Sequence, residues 1–319
     1  MSGRPPPTID LHRHLEGSVR FSTFVELARE TGIELPRRDL RRETTMRGEP
    51  PGFHRFLSKF ALYRGLYPSR DWITRVACEA VEDAKREGVV HLELRFSPTH
   101  FGRRMNARGE DVAEWVARGA RKPGISVSFI ATFGREYGPK GNRPTTRAVE
   151  GTSLFSGIDL AGDESKPAGP FRALFRRLDL PLTIHAGEAG GPENVREARE
   201  DFGALRVGHG VRILEDDALL ERVRDVTFEV CPTSEIQTGA ARSWKDHPVG
   251  RMVDKGLKVT VNTDDPSICD TTIGREITAL RRAGILPEDI RAILKSAARA
   301  AFLPAPARRA LERRIGGPG

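Results

Sequence analysis

TIDLHRHLEGSVRFSTFVELARETG, residues 8–32, reads as one strand followed by one helix. In the strand, 8–14, residues two apart share a face, so Asp10, His12 and His14 point one way and Ile9 and Leu11 the other. Residues 21–31 repeat apolar side chains at helical spacing, and Gly32 can end that helix because it lacks the Cβ that disfavours left-handed backbone. Working outward, strand-like stretches recur at 88–98 (GVVHLELRFSP), 124–134, 154–162, 180–187 (LPLTIHAG), 204–210 (ALRVGHG), 226–232 and 256–263. With the first stretch that makes eight, each rich in Val, Ile, Phe or Thr and bounded by Gly, Pro or Asp. Helical patterns fall between them at 72–87, 171–178 and 218–223. Such alternation implies parallel strands joined by crossover helices. Eight units predict an α/β fold of the (β/α)8 TIM type. A doubly wound open sheet would alternate in the same way, but no GxGxxG follows the first strand.

Residues 33–70 break the alternation. They read as a helical insertion after the first strand, placed over the barrel mouth as a lid. Beyond Gly284 the chain reads as largely helical, interrupted at Pro304 and Pro306, with a frayed GGPG end. No long linker or long repeat divides the chain, so 1–319 reads as a single domain.

Composition narrows the class. Hydrophobic residues make up 38%, enough for a sizeable core, and no apolar run is long enough to span a membrane. The formal net charge is +8 and the pI about 9.7. The excess arginine is scattered in pairs such as Arg37–Arg38, Arg41–Arg42, Arg103–Arg104 and Arg176–Arg177. No basic block is interleaved with aromatics, so no nucleic-acid partner is expected. Three cysteines without a CxxC pair, and an N-terminus without an apolar targeting segment, point to reduced thiols and a cytoplasmic location. Self-association into a homo-oligomer stays open.

Four of the eight histidines fall at strand C-termini: His12 and His14 on the first strand, His185 in HAGE and His209 in GHG. In this kind of barrel that end carries the chemistry. A catalytic zinc needs three or four N, O or S ligands and an open position. His12, His14, His185 and one aspartate of NTDDP, Asp264 or Asp265, meet that need. Glu188, just beyond His185, could serve as a proton donor if burial raises its pKa. His209 could orient a water or take its proton. Glycines 162, 187, 208 and 210 would let a ligand approach the backbone closely.

LHRHLEGS (11–18), HAGE (185–188), VGHG (207–210), CPTSE (231–235) and NTDDP (262–266), in this order, resemble the adenosine deaminase family, as do HLELRFSP (91–98) and SGIDLAGDE (156–164). The resemblance spans residues 10–266 and is specific because the motifs stand in register along a barrel. It implies one Zn2+ held by His12, His14, His185 and Asp264. It implies that His209 and Asp264 position and polarise the water that attacks purine C6, and that protonated Glu188 donates to N1. Asp265 would meet N7 and the Gly162 N–H would meet N3. His14 and Glu16 would face the substrate, Glu16 toward the ribose 5′-hydroxyl. The reaction would turn a small-molecule aminopurine into its 6-oxo form and ammonia. Candidate substrates are adenosine, 2′-deoxyadenosine or a 5′-modified adenosine such as aminodeoxyfutalosine or methylthioadenosine. Free adenine and another amino-heterocycle are the alternatives. Two-metal relatives carry a carboxylated lysine at the end of the fourth strand, where this chain has AGDE, so a single metal is expected.

Two residues depart from the family pattern. Glu16 replaces the usual aspartate and is one methylene longer, which would shift ribose binding, favour free adenine or recognise a different 5′ group. Glu235 replaces the asparagine of CPxSN, either as an extra negative charge near the mouth or as a rim residue paired with an arginine. Outside the motifs, His91, His100 and His247 read as structural or surface residues. His54 does too, although its place in the lid could bring it to the substrate. Phe53, Phe56, Leu57 and Phe60 recur at helical spacing, for packing first and pocket lining second. Glu93 and Arg95 are expected to pair inside the barrel. Cys231 and Pro232 are expected to end a strand and shape the rim.

Overall fold

A computed structural model of the chain describes residues 6–33, 40–63 and 66–316. The strands are β1 (Thr8–His14), β2 (Val89–Phe96), β3 (Ser126–Gly134), β4 (Phe155–Ala161), β5 (Leu182–Ala186), β6 (Arg206–His209), β7 (Thr227–Val230) and β8 (Lys258–Val261). They differ from the expected stretches by no more than two residues at either end. All pair in parallel and in sequence order. The sheet closes through two backbone hydrogen bonds of 2.8 Å, His14 N–H to the Asp264 carbonyl and Asp264 N–H to the His12 carbonyl. The Leu11 N–H adds a bond to Asn262 Oδ1 at 3.0 Å. The result is the expected TIM-type barrel.

The helix Phe21–Thr31 forms as read, and Gly32 ends it at φ 67°. The helix Arg70–Arg86, which precedes β2, buries Ile73, Val76, Ala77, Ala80, Val81 and Ala84, the apolar stripe expected for 72–87. Several helices had no counterpart in the pattern, among them Gly109–Gly119, Arg143–Gly151 and Ile273–Arg282. In the tail, Pro304 separates Pro287–Ala300 from Ala305–Gly316, but Pro306 does not interrupt anything. It lies in the first turn of the last helix, where its missing N–H would have had no helical acceptor. These tail helices cover the outer face of β1, packing Ala297, Ala298, Ala301 and Leu311 with Ile9, Leu11 and Val90.

The inner face of the barrel is charged. Glu93 and Arg95 both point inward, yet they do not bond each other. Arg95 reaches Asp159 at 3.2 Å and Glu229 at 2.9 Å, while Glu93 bonds Arg206. Neighbours on one face of a strand are about 6.6 Å apart along it, so a facing strand supplies the nearer partner. Arg206 Nε lies 2.7 Å from Glu229 Oε1 and closes the lattice.

Between β1 and β2 the chain forms Leu40–Thr44 and Phe53–Tyr63, both within the expected insertion, and residue 70 already opens the next helix. Of the 33–70 span, residues 34–39 and 64–65 lie outside the described residues. The Met46 N–H bonds the Ile268 carbonyl and the Gly52 N–H bonds the Gln237 carbonyl, fastening this segment to the loops after β8 and β7. Among the described residues, no helix is long and apolar enough to cross a membrane.

Candidate active site

The even-numbered face of β1 carries His12 and His14 to the C-terminal end of the barrel, where His185, His209 and Asp264 arrive from β5, β6 and the turn after β8. All are buried. His12 Nδ1 is 2.8 Å from Glu229 Oε2, and His185 Nδ1 is 3.0 Å from Asp159 Oδ1. A carboxylate only accepts, so each ring donates its Nδ1 proton and turns a bare Nε2 lone pair inward. His14 Nε2 stands 3.3 Å from His12 Nε2 and 3.2 Å from His185 Nε2, and Asp264 Oδ1 lies 3.2 Å from His12 Nε2 and 3.5 Å from His14 Nε2.

Lone pairs of His12 and His185 aimed at one point repel unless a cation lies between them. Ligands about 2.0–2.1 Å from a tetrahedral zinc would be separated by about 3.3–3.4 Å, close to these spacings. His12, His14, His185 and Asp264 therefore fit a metal. Donor atoms of His12, His185, His209 and Asp264 also lie within 4.8 Å of one another. His209 is the weaker ligand candidate, because its ring already sits between two carboxylates. Its Nδ1 is 3.3 Å from Glu235 Oε1 and its Nε2 is 3.6 Å from Glu188 Oε2. Burial pulls the imidazolium down, but Glu188 and then Glu235 outweigh it and hold His209 at about 10. Burial would likewise raise Asp264, yet the hydrogen bond from His12 and the surrounding imidazoles keep it well below the usual carboxylate range. The Ser234 hydroxyl donates to its Oδ2 at 2.7 Å. His209 and Asp264 adopt φ of 60° and 58°, left-handed backbone that is uncommon for residues other than glycine. Such strain is held by surrounding structure and clusters at functional sites.

Glu188 follows β5 on a turn made by Gly187 at φ 72°. Burial pushes its carboxyl up to about 7, although the His209 charge opposes the shift. The Thr238 hydroxyl donates to Glu188 Oε1 at 2.8 Å. The turn itself is gathered by Glu164, which accepts from the backbone N–H of Gly187, Glu188 and Gly190 and from the Asn194 amide. Asp265 lies beside Asp264, and burial, reinforced by that neighbour, raises its carboxyl well above the ordinary value. A Cβ on Gly17 would fall on the Asp265 carboxylate, and one on Gly162, at φ 98°, would fall on that of Glu136.

These groups open into a cavity of about 250 Å3, with His14, Glu16, Gly162, His185, Glu188, His209, Asp264 and Asp265 in its wall. His12 lies just beneath. Every residue singled out for the site is therefore brought together. Phe53, Phe56, Leu57 and Phe60 form an apolar side of the cavity, whereas His54 is not part of its wall. His100, read from the sequence as a structural or surface residue, also lines it. His91 and His247 are buried. Glu16 Oε1 accepts the Ser97 N–H at 2.8 Å, while its Oε2 is buried without a hydrogen-bond partner among the described residues. Burial lifts this carboxyl to about 7.

Both readings of Glu235 are overturned. The residue is fully buried, neither at the mouth nor on the rim, and its partners are His209, His247 and the Cys231 N–H, with no arginine among them. Helix Pro232–Thr238 turns it inward, and Cys231 caps that helix after β7 as expected of a strand end. Sequence reasoning also missed Asp159, Glu164, Glu229, Ser234 and Thr238. Asp159 and Glu229 were visible as acidic residues inside otherwise apolar strands, a pattern that implies a buried partner.

Residues 7–317 match the family model described as adenosine deaminase. An adenosine deaminase of Escherichia coli (strain SMS-3-5 / SECEC) is 34% identical over 324 residues, covering 97% of each chain. The structure of adenine deaminase from Arthrobacter aurescens superposes with a TM-score of 0.88 at 25% identity, over 97% of this chain and 98% of that one. An amidohydrolase from Burkhoderia ambifaria with bound Zn gives a TM-score of 0.86 at 26% identity, over 96% and 88%.

Proposed function

The chain belongs to the adenosine deaminase family, a family of hydrolases acting on C–N bonds, and on that premise we propose that it deaminates an aminopurine nucleoside. Adenosine, 2′-deoxyadenosine or a 5′-modified adenosine would yield the 6-oxo purine and ammonia. The observation that carries this reading is Glu188: a buried carboxyl held near 7, facing a cavity whose other wall is the imidazole and carboxylate cluster. A carboxyl so placed is still about half protonated at neutral pH, far more than an ordinary carboxyl, and can donate to a ring nitrogen.

One zinc held by His12, His14, His185 and Asp264 would supply the acidity that makes water nucleophilic near neutral pH. Glu188 gives its proton to N1, which makes C6 electrophilic. His209, brought down from about 10 by the charge of the zinc dication, takes a proton from the water that adds to C6. Asp265, protonated, hydrogen-bonds N7, and the Gly162 N–H meets N3. His209 returns its proton to the amino group, which leaves as ammonia, and Glu188 recovers a proton from the new hydroxyl as the C6 carbonyl forms. Water is consumed, the C6–N bond breaks, and both side chains end as they began. The substrate is a small molecule, with no nucleic-acid or membrane partner, and the single-domain enzyme acts in the cytoplasm.

A second reading, the free base as substrate, is favoured by one observation. The unpartnered Oε2 of Glu16 is a polar atom held in the cavity wall, and it would occupy space that a ribose needs or, when ionised, accept the imidazole N–H that free adenine offers. Zinc-loaded protein should be tested against adenosine, 2′-deoxyadenosine, methylthioadenosine, aminodeoxyfutalosine and adenine by the ultraviolet change on deamination. Preference for a nucleoside is the expected result, preference for adenine would replace it with the second reading, and silence throughout would refute both.

A further inference from the structure

Glu235 has three donors around it and no water-facing surface. Its Oε1 accepts the Cys231 N–H at 2.8 Å and lies 3.3 Å from His209 Nδ1. Its Oε2 lies 3.0 Å from His247 Nε2, within ion-pair distance, and neither atom has a hydrogen-bond partner among the described residues. The far side of His247 fixes its tautomer. The Val249 N–H donates to His247 Nδ1 at 3.2 Å, so that nitrogen carries no proton and the ring proton sits on Nε2, toward Glu235. His247 is buried as well, which leaves this arrangement no solvent route to relax.

We propose that Glu235, backed by His247, is a positioning residue that fixes the His209 tautomer for proton transfer. An ionised carboxylate beside Nδ1 accepts a hydrogen bond from the proton held there, so the Nε2 lone pair of the neutral ring faces the cavity, where Glu188 Oε2 stands 3.6 Å away. Without an acceptor at Nδ1 the ring could carry its proton on Nε2 and present no base to the attacking water. The arrangement also explains why a full negative charge is tolerated here. Burial alone would raise the Glu235 carboxyl, but the adjacent imidazoles of His209 and His247 outweigh it and bring it down to about 2. An amide in its place would put one NH2 group against surrounding donors, leaving a buried donor unpaired, so Glu235 and His247 form a matched pair. Both differ from residues that touch substrate: neither lines the cavity.

The inference rests on His209 acting as the base. Its test therefore begins with a measurement independent of turnover. In zinc-loaded wild-type protein with 15N-labelled histidine, the His209 proton should be found on Nδ1, and a proton on Nε2 of the neutral ring would overturn the proposal. Glu235→Gln should then lower kcat by about 10²-fold with KM and zinc content unchanged. Glu235→Asp, which keeps the charge, should recover part of that loss. A Gln variant with wild-type kcat, or one whose loss simply follows its zinc content, would count against a positioning role. Should wild-type protein deaminate no aminopurine, the functional reading falls while the tautomer measurement still decides the relay.

Discussion

At the residue scale, the proposed chemistry depends on keeping the Glu188 carboxyl protonated beside an ionised Asp264. Glu188 and Asp264 share the cavity, yet burial raises Glu188 to about 7 while imidazoles hold Asp264 well below the ordinary range. Glu188→Gln removes the transferable proton without changing shape, so kcat should fall by about 10²-fold or more with zinc retained. The sign of the pH dependence follows from the raised pKa. The protonated form is full well below about 7 and is lost as pH rises through it, so kcat/KM should decline on the alkaline side of neutral. A profile flat from pH 6 to 9 would show that Glu188 is not the acid. Glu16 makes a separate prediction: Glu16→Asp shortens the unpartnered carboxylate and should move preference toward plain adenosine over adenine, as a competition between the two substrates would reveal. The contrast between Glu188 and Glu235 shows what residue reading can and cannot reach. Both are single acids after a strand, but the HAGE motif identified Glu188, whereas nothing in CPTSE indicated that Glu235 is turned inward onto two histidines. Depth is a property of how helix Pro232–Thr238 leaves β7, and it is not written in five letters.

At the element scale, the turn after β5 is held by one side chain from the turn after β4. Glu164 accepts from three backbone N–H groups and one amide around Glu188. Glu164→Ala would leave buried donors unpaired at about 1–3 kcal/mol each if no water entered. The turn should then loosen, with kcat reduced, rapid amide exchange at 187–190, and zinc retained because His185 lies on the strand itself. Unchanged exchange there would mean that Gly187 alone shapes the turn. The strands were legible because alternation and β-branched content survive burial in a barrel, as VVHLELRF shows. The helix Gly109–Gly119 was missed because GEDVAEWVARG opens on glycine and acids, although its apolar residues Val112, Ala113, Val116 and Ala117 are spaced correctly. The short helices after β7 and β8 were hidden for another reason: they begin at prolines that read equally well as turn residues.

At the scale of the whole molecule, the candidate metal site and the barrel interior form one charged lattice. Glu229 accepts from Arg95, lies beside Arg206 and accepts the hydrogen bond of His12 Nδ1–H. Asp159 likewise joins Arg95 to His185. The arginines hold Glu229 well below the ordinary carboxylate range despite its burial, so it remains the anion that orients His12. Fold stability and metal affinity should therefore be linked through Glu229, but with different dependence on charge. Arg206→Met strands Glu93 and part of Glu229 in a buried interior, and removing one member of a buried pair costs about 3–5 kcal/mol. Denaturant unfolding of the metal-free protein should register that loss. Glu229→Gln removes the anion behind His12 and should weaken zinc binding by about 10–100-fold, as outer contacts to metal ligands do. Competition with a chromophoric chelator measures it directly. Because a ligand stabilises the folded state by RT ln(1 + [L]/Kd), the zinc-dependent rise in Tm should shrink in Glu229→Gln and persist in Arg206→Met. Equal shrinkage in both variants would mean that the lattice acts on the metal only by holding the barrel together. Loss confined to Glu229→Gln would establish that one buried carboxylate serves the core and the site by separable means.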